Sequence, residues 1–223
     1  MTDRPILFSG PMVRALLEGR KTQTRRVLKK PAWAQDKGWP ERVMEEQDLD
    51  GRLSWFASET GCLSTLPIPQ PRDRLWVREA WKTDRYYDDL APSEMSGEQP
   101  LLFMADNSVE RWGWKPDALS RWGRFRQGMH MPRWASRLTL TVTDVRVQRV
   151  QEISDKDATA EGIDRDTDGW RDYLMPSTQC CPDPRTSFQT LWDSLNGPRG
   201  YGWDANPWVV AYTFTAERRN IDE

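Results

Sequence analysis

A lysine, two threonines and two arginines crowd into Lys21-Thr-Gln-Thr-Arg-Arg26, two residues after a glycine. A lysine beside a threonine hydroxyl can hold that hydroxyl's proton or stabilise its alkoxide, which activates a weak nucleophile. To act as a base, Lys21 must be partly desolvated, which lowers its pKa. Parity is the obstacle. In an ideal strand Lys21 and Thr24 point to opposite faces. They converge only if Lys21 still belongs to the preceding turn, or if a bulge intervenes. The competing reading is a basic, solvated edge strand.

Glu161 supplies a carboxyl of a different kind. It falls in the last turn of a short helix expected after Ser154, with Gly162 as its stop. The negative end of the helix dipole disfavours ionisation there. A carboxyl held protonated in this way suits proton delivery to a leaving amine. The alternative is an ordinary exposed glutamate at a helix end. A second constellation is Trp76, Arg78 and Glu79. A Trp can stack on a base, an Arg can hold a carbonyl or phosphate, and a Glu can accept from an exocyclic amine. Trp76 could equally be core, and Arg133 beside Trp134 could equally form a structural ion pair. His130 is the single histidine, isolated from any Ser or Cys nucleophile signature.

The elements that must position these residues follow from local pattern. Residues 6–8 read as a strand. Ser9-Gly-Pro11 opens a helix whose Met12, Val13, Leu16 and Leu17 share a face, and Gly19 stops it. Residues 21–27 read as a strand, 28–70 as irregular, and 74–81 as an alternating strand. Residues 84–130 show no clean periodicity. From Arg137 to Val147, Leu138, Leu140 and Val142 alternate with threonines, and then parity switches, which places a bulge near Thr143–Asp144. Ser154 caps the short helix. Asp183-Pro184 opens another, with Phe188, Leu191, Trp192 and Leu195 on one face. Residues 208–214 close the pattern as an apolar strand. Strands scattered among short helices point to a mixed α+β architecture rather than a doubly wound sheet.

Composition narrows the function classes. Charged residues reach 30% against 37% hydrophobic, which implies a modest core with polar loops. Thirteen Trp residues can pin such loops or stack on bases. A net charge of −2 excludes a global basic field for nucleic acid. Two basic stretches, around 14–30 and 111–137, still offer local surfaces, with Arg25, Arg124 and Arg126 as candidate nucleic-acid contacts. Three cysteines without C-x-x-C spacing and one histidine argue against a structural zinc site. No metal or cofactor is expected. No apolar run resembles a signal peptide or a membrane span, so a reduced, cytoplasmic protein is expected.

The helix followed by Gly-Arg-Lys-Thr-x-Thr-x-Arg resembles the opening motif of ASCH-domain proteins, relatives of the PUA RNA-binding fold. The resemblance continues at Asp73-Arg-Leu-Trp-Val-Arg-Glu79, His130-Met-Pro-Arg-Trp-Ala-Ser-Arg137, 153–162, 188–196 and 200–214. These blocks cover about half the chain in family order. The form is similar to the longer ASCH proteins of phages and prophages, sometimes labelled morphogenetic. One departure is Arg72, where relatives commonly have Gly before the Asp.

The resemblance implies a single domain over 1–223, a small PUA-like β-barrel with flanking short helices. Insertions would fall at about 28–70, 83–129 and 164–183. A small bacterial ASCH enzyme hydrolyses N4-acetylcytidine with a lysine, a threonine and a glutamate. By motif these match Lys21, Thr24 and Glu161, with Arg26, Trp76, Arg78, Glu79 and Arg133 toward the substrate. The expected activity is therefore amide hydrolysis on a modified cytidine. A non-catalytic RNA or single-stranded DNA reader, an ASCH ribonuclease and a phage assembly factor are the alternatives. The expected partners are a modified nucleoside or single-stranded RNA or DNA, and phage or host proteins, with no membrane.

Overall fold

A computed structural model describes residues 2–28, 43–47, 53–57, 64–65, 68–110, 122–176 and 180–223. The chain is mixed α+β, with short helices and several small sheets. It divides into two compact units, each assembled from separated stretches. Unit one is Met1–Gly19, Asp73–Thr141 and Thr215–Glu223, and unit two is Arg20–Arg72 and Val142–Phe214. Among the described residues no helix is long and apolar enough to cross a membrane.

In unit one, β1 (Asp3–Leu7) runs parallel to β6 (Arg74–Arg78), with Asp3 opposite Arg74. The start of β10 (Thr139–Arg149) pairs antiparallel on the other side of β6, Thr139 opposite Trp76. Helix α1 (Gly10–Leu17) begins with Pro11 in its first turn and buries Val13, Ala15 and Leu16. Gly19 then takes φ +72°, a left-handed conformation that a side chain would strain. A three-stranded sheet joins β7 (Trp81–Lys82), β8 (Leu101–Phe103) and β9 (Val109–Glu110). It buries Trp81, Leu101 and Phe103 with Met95 and Met131. Residues 84–130, which lack periodicity, thus still contribute strands. Each is too short for a period to show.

In unit two, β2 (Gln23–Val27) pairs antiparallel with β14 (Trp208–Glu217), Thr24 opposite Tyr212. Along β10, Val142 and Val145 are buried while Thr143 and Asp144 between them are both exposed, so the expected parity switch is present. Helix α2 (Asp155–Ala160) is capped by Ser154, whose hydroxyl accepts from Asp157 N. It ends at Gly162 with φ +82°. Helix α3 (Pro184–Asn196) is capped by Asp183 and buries Phe188 and Trp192 against Val150, Ile153, Ile163, Trp203 and Val209. Burying each such side chain is worth about 1.5–3 kcal/mol. Leu195, expected on this face, is exposed instead, since it lies at the end where the helix leaves the core.

Two smaller sheets complete unit two. One comprises β3 (Val43–Gln47), β4 (Leu53–Ala57) and β5 (Ser64–Thr65), so 28–70 is not wholly irregular. The other comprises β11 (Arg165–Asp166), β12 (Gly169–Arg171) and β13 (Cys180–Cys181). Arg72 adopts φ +76°, the region where glycine is favoured. The departure noted there in the sequence therefore falls on a position whose backbone suits glycine.

Candidate functional site

Lys21 lies in the turn before β2, and backbone bonds fix that turn against α2. Thr22 N donates to Ala160 O at 2.9 Å, and Phe214 N donates to Thr22 O at 3.0 Å. Lys21 Nζ donates to the Glu161 backbone oxygen at 2.7 Å and to its Oε2 at 2.9 Å. One bond satisfies a carbonyl at the helix end, and the other is an ion pair. Lys21, Thr24 and Glu161 are all buried, at 1%, 0% and 5% relative exposure.

Parity explains the rest of the cluster. Gln23 and Arg25 share a strand face, and Asp157 and Glu161 share a helix face four residues apart. The two faces meet. Arg25 Nη1 donates to Glu161 Oε1 at 3.1 Å, and its Nη2 reaches Asp157 Oδ2 at 3.4 Å. Gln23 Nε2 donates to Asp157 Oδ1 at 3.1 Å, while Gln23 Oε1 accepts from Arg25. Arg146 closes the far side of Asp157 with two bonds of 3.2 Å. The buried Arg25 Nε has no partner. Thr24 faces differently. Its Oγ1 accepts from Arg26 Nη1 at 2.9 Å, so Arg26 serves Thr24 directly.

The charges respond to this packing. Burial pushes the Lys21 ammonium's pKa down, and the adjoining Glu161 carboxylate offsets part of that. The Arg26 guanidinium is lowered by burial too, with Glu161 and Tyr212 opposing. Burial alone would raise Asp157, but hydrogen bonds from Arg146 and Gln23 bring it below the ordinary carboxylate value. The cluster lowers the pKa of a buried lysine, orients a threonine oxygen on a cation, and shares a carboxylate between two cations.

Several expected contacts are corrected. Arg25 is no surface residue: it is buried and spent on Glu161 and Asp157. Arg126 is buried as well, donating to the carbonyls of Tyr87, Asp88 and Leu90. Only Arg124 of the proposed nucleic-acid contacts is exposed. Trp76, Arg78, Glu79 and Arg133 belong to unit one, where each has structural work. Trp76 is buried beneath Arg78, which binds the carbonyls of Met129 and Met131. Both Glu79 oxygens are taken by Arg137, at 2.8 and 2.9 Å. Arg133 pairs with Asp3 and Asp222, each at 2.6 Å.

Gln23, Asp157 and Arg146 went unnoticed in the sequence. A signal existed for the first two: strand alternation from Lys21 and the four-residue step back from Glu161. Among the described residues, no group of three or more His, Cys, Asp or Glu is gathered as a metal site. No family model matches this chain, and no curated protein or solved structure is detectably similar to it.

Proposed function

We propose that unit two hydrolyses an acyl amide on a modified cytidine, with N4-acetylcytidine as the reference substrate. The observation that carries this reading is the buried Lys21–Glu161 contact of 2.9 Å, formed by residues 140 apart in sequence. The ASCH resemblance supports it through the same residues. It brings with it a PUA-like barrel as the fold type, and the sparse cysteines point to a reducing, cytoplasmic setting.

In this scheme Lys21, whose pKa is lowered by burial, takes the proton of Thr24 or of a water that Thr24 orients. The oxygen attacks the acyl carbon, and Arg26 stabilises the charge on it. The C–N bond breaks, and Glu161 relays the proton from Lys21 to the departing amine. With Thr24 as nucleophile, water then releases the acyl group as a carboxylic acid. With water as nucleophile, the acid forms at once. Thr24 and Lys21 are fully enclosed, so substrate admission requires local opening.

That enclosure also favours a second reading, in which the cluster is a buried structural network beside a base-reading surface. Chromatography after incubation with N4-acetylcytidine separates the two. Cytidine should accumulate with wild-type protein and not with Lys21→Ala. No cytidine at high wild-type concentration would overturn the hydrolase reading.

A further inference from the structure

Arginines in this chain commonly meet carboxylates: Arg20 with Asp164, Arg74 with Asp3, Arg137 with Glu79, Arg146 with Asp157. Among the described residues, Arg149 and Arg185, both in unit two, form no such side-chain ion pair. Each is instead held on a tryptophan. The Arg149 guanidinium carbon lies 4.4 Å from the ring centre of Trp208, and that of Arg185 lies 5.2 Å from Trp203. Each donates to a carbonyl: Arg149 Nη1 to Asn206 O at 3.0 Å, Arg185 Nη2 to Gln151 O at 2.8 Å.

The two anchors belong to one small assembly. Gln151 N donates to Asn206 Oδ1 at 3.2 Å, and Gln151 Nε2 donates to Trp203 O at 2.9 Å. Val150 N donates to Pro207 O at 3.0 Å. Both tryptophans are buried, so the platforms are rigid. Arg185 is exposed and Arg149 half-buried. A guanidinium carries five N–H donors in a planar fork. Stacking fixes the plane and leaves the remaining edge donors for an acceptor.

Three carboxylates are close in sequence; Asp183 feels the Arg185 charge, but among the described residues none forms a direct side-chain ion pair with either arginine. Glu152 Oε2 accepts from the Arg149 backbone N at 3.0 Å. Asp183 is occupied by Thr186 N and its hydroxyl, each at 2.8 Å, and by the backbone N–H of Arg185. Asp204 is exposed in the turn. Tyr201, two residues before Trp203, is also exposed and offers a ring face.

We propose that Arg149 and Arg185 form a phosphate-binding site for the backbone of a single-stranded nucleic acid. It rests on the reading of unit two as acting on a nucleoside, and it extends that reading to a polymer. Stacked guanidiniums bind phosphate oxygens through paired N–H bonds. A nearby exposed aromatic adds sequence-tolerant base stacking, the combination used on single strands. The site lies outside the basic stretches legible in the sequence, because its arginines are 36 positions apart.

The test is fluorescence anisotropy of a labelled oligouridylate across a potassium chloride series. Wild type should bind with a salt-dependent affinity. Arg149→Gln/Arg185→Gln should lower the slope of log K against log salt by about 1.4, from two phosphates at about 0.7 each. Arg185→Gln alone, at an exposed side chain, should lower it by about 0.7 and serves if the double variant melts early. Inorganic tripolyphosphate is the competing probe. It should displace the strand only at much higher concentration than unlabelled oligouridylate. Equal potency would mean a small-anion site and overturn the polymer proposal. So would an unchanged slope in folded variants, or no wild-type binding at low salt. Cytidine release from free N4-acetylcytidine should be unchanged in these variants. A wild type that binds the strand but releases no cytidine would fail the hydrolase reading alone.

Discussion

Each unit buries a glutamate against an arginine, and the two pairs are built on opposite plans. In unit one, Glu79 and Arg137 meet fork to fork, and Arg137 also donates to Asp106 and Ser108. Phe103 lies under its guanidinium at 4.0 Å. Burial raises the Glu79 carboxyl's pKa, with the Arg137 bonds opposing. In unit two, Glu161 gives one oxygen to Lys21 and the other to Arg25. An arginine cannot release its proton in a protein, whereas a buried lysine can. The first pair is saturated and has no chemistry left to perform. The second contains a partner that can change its protonation state.

The largest effect should come from Lys21. Lys21→Ala should lower cytidine release by a factor on the order of 100 or more, the usual reach of a lost general base. Because Lys21 is enclosed and paired, some loss of stability should accompany it, about 1–3 kcal/mol by urea melt. Lys21→Arg keeps the charge and loses the titration, so activity should stay absent. Recovery of activity in that variant would remove the proton-transfer role.

Glu79→Ala tests the other pair. It leaves Arg137 with the Ser108 hydroxyl and, as countercharge, the partly exposed Asp106, and should cost about 3–5 kcal/mol in a denaturant melt. A loss below about 1 kcal/mol would show that Asp106 compensates, and the contrast between the units would shrink.

The pH dependence sharpens the contrast further. A lysine lowered in the folded state binds fewer protons there than in the unfolded chain once pH passes its folded value. Stability contributed through Lys21 should therefore rise with pH from that point up to the ordinary lysine value. Cytidine release should rise over a limb that begins below the ordinary lysine value. A pH–rate profile checks it, and a limb at the unshifted position would place the titrating group elsewhere.

How much of this was legible in the sequence depends on period. Helices α2 and α3 were readable because Ser154 and Asp183 cap them and their turns repeat. Strand β10 was readable because threonine and aliphatic residues alternate, including the step at Thr143–Asp144. Strands β7, β8 and β9 were not, since two or three residues carry no period. The site was half legible. Lys21 and Glu161 could be named from type and position, but Arg25 looked like surface because charge in a basic run suggests solvent. Its burial depends on Asp157 and Glu161, which lie more than 130 positions away. Shorter but still non-local separations hid the stacked arginines, which rest on tryptophans from a different element. No local pattern announces that Arg185 will rest on Trp203.

The smallest effect concerns Arg72, and it supplies the background in which the others are best measured. Its φ of +76° strains a residue bearing a Cβ, while its N–H is held by Val142 O at 2.7 Å. Glycine relieves that strain, roughly 1–2 kcal/mol for a left-handed conformation. It also gives the unfolded chain more freedom, which takes back about 0.5–1 kcal/mol. Arg72→Gly should therefore stabilise the protein by about 0.5–1 kcal/mol, seen as a higher urea midpoint with unchanged m-value. Arg72→Ala keeps the Cβ and loses only the long side chain, so it should not reproduce the gain. If Ala stabilises as much as Gly, the effect comes from the arginine side chain and not from φ. The substitution touches neither the Glu79–Arg137 pair nor the Lys21–Glu161–Arg25 cluster. Lys21→Ala made in the Arg72→Gly background should thus lose cytidine release by the same factor as in wild type, with part of its stability loss restored.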